Sequence, residues 1–220
     1  QEQKTNKTES KMKGIILIGP PGSGKDTQIA ELAKVYDIAI ISGGDIVREI
    51  AKKDSKIHAI LDSGDLIDDE IVLSEIDKKL DNIPENKTLV FDGVPRTMHQ
   101  AEHLNEILSH HNRLIDAVIY IELDEGAIID RLSRRRVCSI CGANILNGQR
   151  KCLICGGRPI QREDDFPAAI MRRVQTFLER TLPLVNYYQN KGILAEIDGD
   201  QQISDVAKDI KEKLRYVQNR

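Results

Sequence analysis

Residues 14–36 constrain the chain more than any other stretch. They open on Gly14-Ile15-Ile16-Leu17-Ile18, a short apolar run that reads as a buried strand of a parallel sheet. Gly19-Pro20-Pro21-Gly22-Ser23-Gly24-Lys25-Asp26-Thr27 follows, and residues 28–36 then carry apolar side chains at helical spacing. A glycine-rich loop between a strand and a helix makes a phosphate site. Glycines let successive backbone N–H groups converge on one anion, and the helix turns its positive end to the same point. Gly22, Ser23, Gly24, Lys25, Asp26 and Thr27 are the candidate phosphate-binding residues. Lys25 supplies a mobile cation, and Thr27 a hydroxyl for metal or phosphate oxygens. Asp26 departs from the pattern, because Ser or Thr ordinarily follows the lysine. A carboxylate there repels phosphate unless it turns away or faces a metal. The competing reading is an ordinary glycine-rich turn.

The rest of the chain alternates strand and helix. Strands are expected at 38–42, 87–92, 116–122 and 193–197, with helices at about 98–110, 125–135 and from 198 to the end. Alternation of this kind predicts an α/β fold: a five-stranded parallel sheet with helices on both faces. Two segments break the rhythm, a purely helical one at 43–80 and a cysteine- and glycine-rich one at 137–167. Both read as insertions over the C-terminal edge of the sheet, where ligands bind in such folds. The chain has 220 residues and a net charge of −3, which disfavours a general nucleic-acid binder. It contains no 18-residue apolar run and no signal peptide before the first strand, so no membrane partner is expected and the protein is expected in the cytoplasm. Residues 1–11 are polar and expected to be disordered, with Met12 a candidate natural start.

All four cysteines fall in two knuckles, Cys138-Ser139-Ile140-Cys141 and Cys152-Leu153-Ile154-Cys155, each closely followed by glycine. In a reducing compartment this pattern reads as a closed tetrathiolate zinc site; disulfides or free thiols are the alternative. Four protein ligands make the metal structural, giving rigidity that the few apolar residues of the segment do not supply.

Three further stretches carry chemistry: Ser42-Gly43-Gly44-Asp45-Ile46-Val47-Arg48, Gly64-Asp65-Leu66-Ile67-Asp68-Asp69-Glu70, and Asp92-Gly93-Val94-Pro95-Arg96-Thr97-Met98-His99-Gln100. Arg48 and Arg96 are planar forks suited to phosphate oxygens. Asp92 ends a strand, where it can hold magnesium through water or cap the next helix. Gln100 offers a donor and an acceptor to a base edge. With the glycine-rich loop, the cysteine knuckles and the later Arg162-Glu163-Asp164-Asp165, these stretches resemble the adenylate kinases, in the family's order, from Met12 to the last helix. The similarity is to the long-lid, zinc-containing type, with a shorter gap between the cysteine pairs.

The resemblance implies Mg-dependent phosphoryl transfer between ATP and AMP, giving two ADP, with structural zinc held by Cys138, Cys141, Cys152 and Cys155. It implies a core of residues 12–42, 72–136 and 167–220, a monophosphate-binding insertion at 43–71 and a lid at 137–166. Lys25, Asp92, Arg96, Arg135, Arg162 and Arg173 would serve catalysis. Gly22–Thr27, Arg131, Arg135 and Gln201 would bind ATP. Gly43, Arg48, Asp65, Leu66, Ile67, Gly93, Val94, Pro95, Arg96, Gln100, Arg162 and Arg173 would bind AMP. A monomer is implied as well. The alternatives are a kinase for GMP, CMP or UMP, or a non-catalytic phosphate-loop module. Gly43 and Val94 stand where the family usually has Thr and Phe, which predicts a roomier base pocket and weaker selection of AMP.

Overall fold

β1 (Gly14–Ile18) is buried along its whole length and takes the centre of a five-stranded parallel sheet. The computed structural model describes residues 12–145, 148–162 and 165–218, so the disorder expected of residues 1–11 lies outside the described residues. The strand order is β2 (Ile38–Ser42), β3 (Thr88–Asp92), β1, β4 (Ala117–Glu122) and β8 (Leu194–Asp198). Strand side chains alternate between faces, and the two faces build two cores. Ile16 and Ile18 join Phe91 and Val118 in the larger one, with α2 (Gly43–Ala51), α4 (Asp69–Leu80), α5 (Met98–His110) and α8 (Pro183–Asn190) packed over them. Ile15 and Leu17 enter the other core, covered by α1 (Lys25–Leu32) and α9 (Ile203–Gln218).

The N-terminal edge of the sheet is tied down by buried or half-buried charge. Asp116 Oδ2 accepts from the backbone N–H groups of Lys13 at 2.5 Å and Gly14 at 3.0 Å, fixing the start of β1. Arg113 is 7% exposed and donates to the carbonyls of Pro84, Glu85 and Lys87. The C-terminal edge is left for the loops. Register brings Leu17, Ser42 and Asp92 level there, so the turns after β1, β2 and β3 emerge side by side.

The two interruptions stand over that edge. The first is α2 and α3 (Ser55–Ser63), leading into α4. Ile46, Ala51, Ile57 and Ile67 from this region belong to the larger core, so it is not packed separately. The second follows α6 (Glu125–Arg134) and forms a small antiparallel sheet ordered β6 (Asn144–Ile145), β5 (Arg136–Cys138), β7 (Pro159–Ile160), which the sequence does not announce. Its apolar cluster is its own: Cys138, Ile145 and Cys152, with Ala143 against them.

Two departures from expectation have local causes. α1 begins at Lys25, three residues early, because Gly24 at φ 92° starts it in a left-handed conformation. It ends at Leu32, and Val35 lies in a turn, 57% exposed. Residues 167–190, where no element was expected, are one continuous helical run: α7 (Pro167–Thr176), a π-helical turn (Phe177–Thr181) and α8. Pro183 disguises it. A proline inside an apolar run reads as a breaker, but here it sits in the first turn of α8, where its missing N–H costs little.

Leu104, 1% exposed in the larger core, is expected to cost about 2–5 kcal/mol of stability as Leu104→Ala. Leu153, 85% exposed, is expected to change it by less than about 0.5 kcal/mol as Leu153→Ala. Chemical denaturation midpoints of both variants check the pair, and equal losses would contradict this placement of the core.

Candidate functional site

The phosphate loop curls around its own lysine. Gly22 and Gly24 adopt φ 82° and 92°, which a side chain would resist, and Ser23 between them is 3% exposed. Lys25 Nζ donates to the Gly19 carbonyl at 2.8 Å, the Pro20 carbonyl at 3.0 Å and Ser23 Oγ at 3.3 Å. Burial pulls its pKa down to about 8, against the opposing attraction of the Asp92 and Asp26 carboxylates. Thr27 stands two residues beyond Lys25, in the first turn of α1.

Asp26 is met by two partners. Asn144 Nδ2, from β6, donates to Asp26 Oδ2 at 2.5 Å, and the Asp92 carboxyl is in hydrogen-bonding contact with it. Two facing carboxyls share a proton more readily than they carry two charges. Burial raises Asp92 to about 6, with the Asp26 charge adding to the shift. Asp26 itself is lowered: partial desolvation works against it, but hydrogen bonds from Asp92 and Asn144 and the Lys25 and Arg135 charges prevail. The sequence expectation that Asp26 turns away from the site or faces a metal is therefore refined, because it faces a second carboxyl and the Asn144 amide.

The arginines arrive from separate elements. Arg135 leaves the end of α6 and grips Asp165 with Nε on Oδ2 at 2.7 Å and Nη2 on Oδ1 at 2.5 Å. Arg173 of α7 reaches the same Oδ1 at 2.9 Å, and the Asp165 side chain has no exposed surface. Arg96 lies close enough to Lys25 to depress its pKa, as does Arg173. Arg162 lies between β7 and α7 and is half-buried; Glu163 and Asp164 of the same motif lie outside the described residues. Lys25, Asp26, Asp92, Arg96, Arg135 and Arg173 thus share one neighbourhood at the C-terminal edge of the sheet.

The loop after β3 is held at several atoms. Gln100 Oε1 accepts from the Arg96 backbone N–H at 2.7 Å, Thr181 Oγ1 donates to the Arg96 carbonyl at 3.0 Å, and Arg96 Nε donates to the Gly93 carbonyl at 2.7 Å. Gly93 at φ 60° makes the approach possible; a Cβ there would stand 2.9 Å from Arg96 Nη2. The Val94–Pro95 peptide is cis. Thr97, rather than Asp92, caps α5, accepting from the Gln100 N–H.

The roomier base pocket is not found. A Cβ on Gly43 would stand 2.7 Å from the Gly93 carbonyl oxygen and 3.2 Å from Val94 Cβ, and Val94 is 1% exposed within the larger core. The space a Thr would fill is taken by neighbouring backbone, so Gly43 marks close packing of the β2 and β3 turns. Arg48 pairs with Asp45 at 2.6 Å on the surface of α2. Asp65 pairs with Arg172 Nε at 2.6 Å and accepts from Ser63 Oγ at 3.1 Å, joining the α3–α4 turn to α7. Leu66 is half-buried and Ile67 is 6% exposed in the larger core.

At the far side Arg131 Nη2 donates to the Gly199 carbonyl at 2.9 Å and to Asp200 Oδ1 at 3.3 Å. Gln201 Nε2 donates to the Asp198 carbonyl at 3.1 Å and to Asp209 Oδ2 at 3.2 Å, so these two candidates flank one loop after β8.

The four cysteines converge: all Sγ atoms lie within 4.8 Å of one another, with Cys138–Cys155 at 3.3 Å and Cys141–Cys152 at 3.6 Å. Sulfurs around a tetrahedral zinc stand roughly 3.8 Å apart, given Zn–S bonds near 2.3 Å, so the donor set fits that ion. The knuckles close by Gly142 N–H on the Cys138 carbonyl and Gly156 N–H on the Cys152 carbonyl. In the metal-free cluster the shifts are opposed: backbone N–H groups of Cys141 and Ile140 bring the Cys138 thiol down to about 6, while against the Ala143 N–H the neighbouring cysteine sulfurs push Cys141 up to about 12.

Sequence reasoning passed over four residues that hold this geometry. Asp69 and Asp165 lie inside motifs that were read, but as unassigned members. Asn144 and Thr181 carry no local signal, since only tertiary structure brings them to Asp26 and Arg96.

A family model described as adenylate kinase matches residues 17–193. The adenylate kinase of Staphylococcus aureus (strain Mu50) is 38% identical over 213 residues, 92% of this chain and 99% of its own. That of Methanocella arvoryzae is 39% identical over 211 residues, covering 91% and 98%. That of Caldanaerobacter subterraneus is 38% identical over 210 residues, covering 91% and 95%. The parallel sheet, the phosphate loop, the arginines gathered on its edge and the sequence likeness over nearly the whole length agree, and the chain belongs to the adenylate kinase family of nucleoside monophosphate phosphotransferases.

Proposed function

We propose that this chain transfers the terminal phosphoryl group of Mg·ATP to AMP, reversibly, giving two ADP. The observation that carries the reading is the cluster of Lys25, Arg96, Arg135 and Arg173 from four separate elements around one point, with Asp92 beside them. A nucleotide-binding switch has no use for so much converging positive charge. A transferring phosphoryl group does, because its charge spreads over equatorial oxygens and the protein's part is positioning and charge stabilisation.

In this reading Gly22–Thr27 cradle the ATP phosphates, and Lys25 leaves its loop carbonyls to follow the transferring group. Arg131 and Gln201 border the ATP base at the loop after β8. Arg48 and Arg96 hold the monophosphate, and Gln100 and Gly93 meet its base. Arg135, Arg162 and Arg173 close over the reaction and help to exclude water. Mg²⁺ bound with ATP would neutralise developing phosphate charge, and Asp92 would hold it through its water shell. Zinc held by Cys138, Cys141, Cys152 and Cys155 would supply rigidity only. Residues 43–71 act as the monophosphate-binding segment and 137–166 as the lid; the separate apolar cluster around Cys138, Ile145 and Cys152 supports the second assignment. Among the described residues no helix is long and apolar enough to cross a membrane. A cytoplasmic monomer without nucleic-acid or membrane partners completes the reading, and the net charge of −3 supports the exclusion of nucleic acid.

Lys25→Met is expected to keep the fold and lower kcat by about a hundredfold or more, as loss of one preorganised donor does elsewhere. Near-normal turnover by a folded variant, in an assay coupling ADP formation from ATP and AMP, would reject the site.

The Asp92 carboxyl of the divalent-free protein is expected to titrate at about 6, so it is protonated below that pH and charged above it. Asp26→Asn removes the adjacent negative charge and should move the midpoint down. Carboxyl-carbon NMR follows both, and an unmoved midpoint would mean that Asp26 does not act on Asp92.

Purified protein is expected to carry one zinc per chain by elemental analysis. Stripping it should lower the thermal unfolding temperature of the lid first, with activity falling as Arg135 and Arg162 lose their frame. Reduced, metal-free protein at full activity would remove the assignment.

A further inference from the structure

Gln100 is 3% exposed, and its side-chain amide is held from both ends. Its Oε1 accepts from the Arg96 backbone N–H at 2.7 Å, and its Nε2 donates to Asp69 Oδ1 at 2.7 Å. Asp69 is held in turn: Thr97 Oγ1 donates to Oδ2 at 2.6 Å, and His99 Nδ1 stands 3.5 Å from the same oxygen. Thr97 also caps α5 by accepting from the Gln100 N–H, so α4, the β3–α5 loop and α5 meet at one carboxylate.

The chemistry of the two partners forces the direction of the amide. A backbone N–H can only donate, and an ionised carboxylate can only accept. Turning the amide over would set an N–H₂ against an N–H and a carbonyl against a carboxylate. Two hydrogen bonds would become two repulsions between poorly hydrated groups. In its fixed direction the amide uses one of its two N–H groups and one of its two oxygen lone pairs among the described residues, and keeps one of each.

We propose that Asp69 sets the purine preference of the monophosphate site by fixing which way the Gln100 amide faces. The inference rests on the reading above that Gln100 meets the monophosphate base. Adenine presents a donor at its exocyclic N6 and an acceptor at the adjoining ring nitrogen; guanine presents an acceptor at O6 and a donor at that nitrogen. The two edges carry opposite orders of donor and acceptor. An amide free to turn serves either one, whereas a locked amide serves one and opposes the other. Asp69 is then a positioning residue that acts on specificity through Gln100, with no contact to substrate of its own.

The test compares kcat/KM for AMP and for GMP, with Mg·ATP as donor, in the parent protein, Asp69→Asn and Gln100→Ala. Asn is isosteric and can offer Gln100 either an oxygen or an N–H₂, so the carboxylate's half of the lock is lifted and only the Arg96 N–H still favours one direction. The AMP-to-GMP ratio is expected to fall roughly tenfold or more in Asp69→Asn, the scale of one pocket contact, and part of the fall should be a gain for GMP. Asp69→Ala, which removes the acceptor and adds no donor, should move the ratio the same way and serves if the Asn variant is poorly folded. A purely structural role would weaken both substrates alike; an unchanged ratio in folded Asp69 variants would overturn the proposal. Gln100→Ala separates the two failures. A collapsed ratio there with an unchanged ratio in the Asp69 variants rejects Asp69 alone, whereas an unchanged AMP KM and ratio in Gln100→Ala rejects the base-reading role of Gln100, and this proposal with it.

Discussion

Asp165 carries a charge with no exposed surface, and such a charge is tolerated only with close, well-aligned partners. Its partners are Arg135, at the end of α6, and Arg173, in the last turn of α7. Breaking such a set leaves uncompensated charge in a dry place, so the arrangement is costly to disturb. Two arginines that would otherwise repel each other are thereby held at fixed separation beside the phosphate loop. The reactive edge feels that constraint in sequence: Lys25 is coupled to the Arg173 charge and Asp26 to the Arg135 charge, and Asp92 and Arg96 are coupled to Lys25 in turn.

Residues 137–166, the proposed lid, are stabilised by different physics from the body beneath them. The body has two aliphatic cores on either side of a sheet. The lid has a handful of apolar atoms, three short strands and four thiols drawn to one point. Ile140, Leu153 and Ile154 in the knuckles face solvent, and of the large apolar residues there only Ile145 joins the interior. Its contacts with the body are polar, through Asp165 and through Asn144 on Asp26. The exposed Asn144–Asp26 contact can be exchanged for water at small net cost, whereas the buried Asp165 set holds the foot of the segment firmly.

The sheet was legible because most of its strands are written as apolar runs, and three of them stop at the loops that build the site: Ile18 before the glycines, Ser42 before Gly43, Asp92 before Gly93. The site was legible where a motif is local. Lys25 and the cysteines stood out by spacing alone, and Arg96 through the family resemblance. What stayed hidden was partnership. Nothing near Asn144 points to Asp26, and nothing near Thr181 points to Arg96, because each contact spans a large stretch of chain. Gly43 was misread for a related reason. A missing side chain suggests empty space in a sequence, but in the fold the Gly93 carbonyl already occupies it. Pro183 concealed a helix because its position within the turn, not its identity, decides whether it interrupts one.

The π-helical turn at Phe177–Thr181 gives that same helix a particular angular phase. A π-turn accommodates an extra residue without ending the helix, and each residue of an α-helix advances the azimuth by about 100°. Arg173 lies before the turn and faces Asp165; Thr181 closes it and faces the Arg96 carbonyl; Tyr188 lies beyond and is buried in the larger core. A straight helix of the same span, one residue shorter, could aim one end correctly but would swing the other away by more than a quarter of a circle. The irregularity works as a coupling between two misaligned shafts, letting one rod keep its grip on Asp165 and on the Arg96 carbonyl at once.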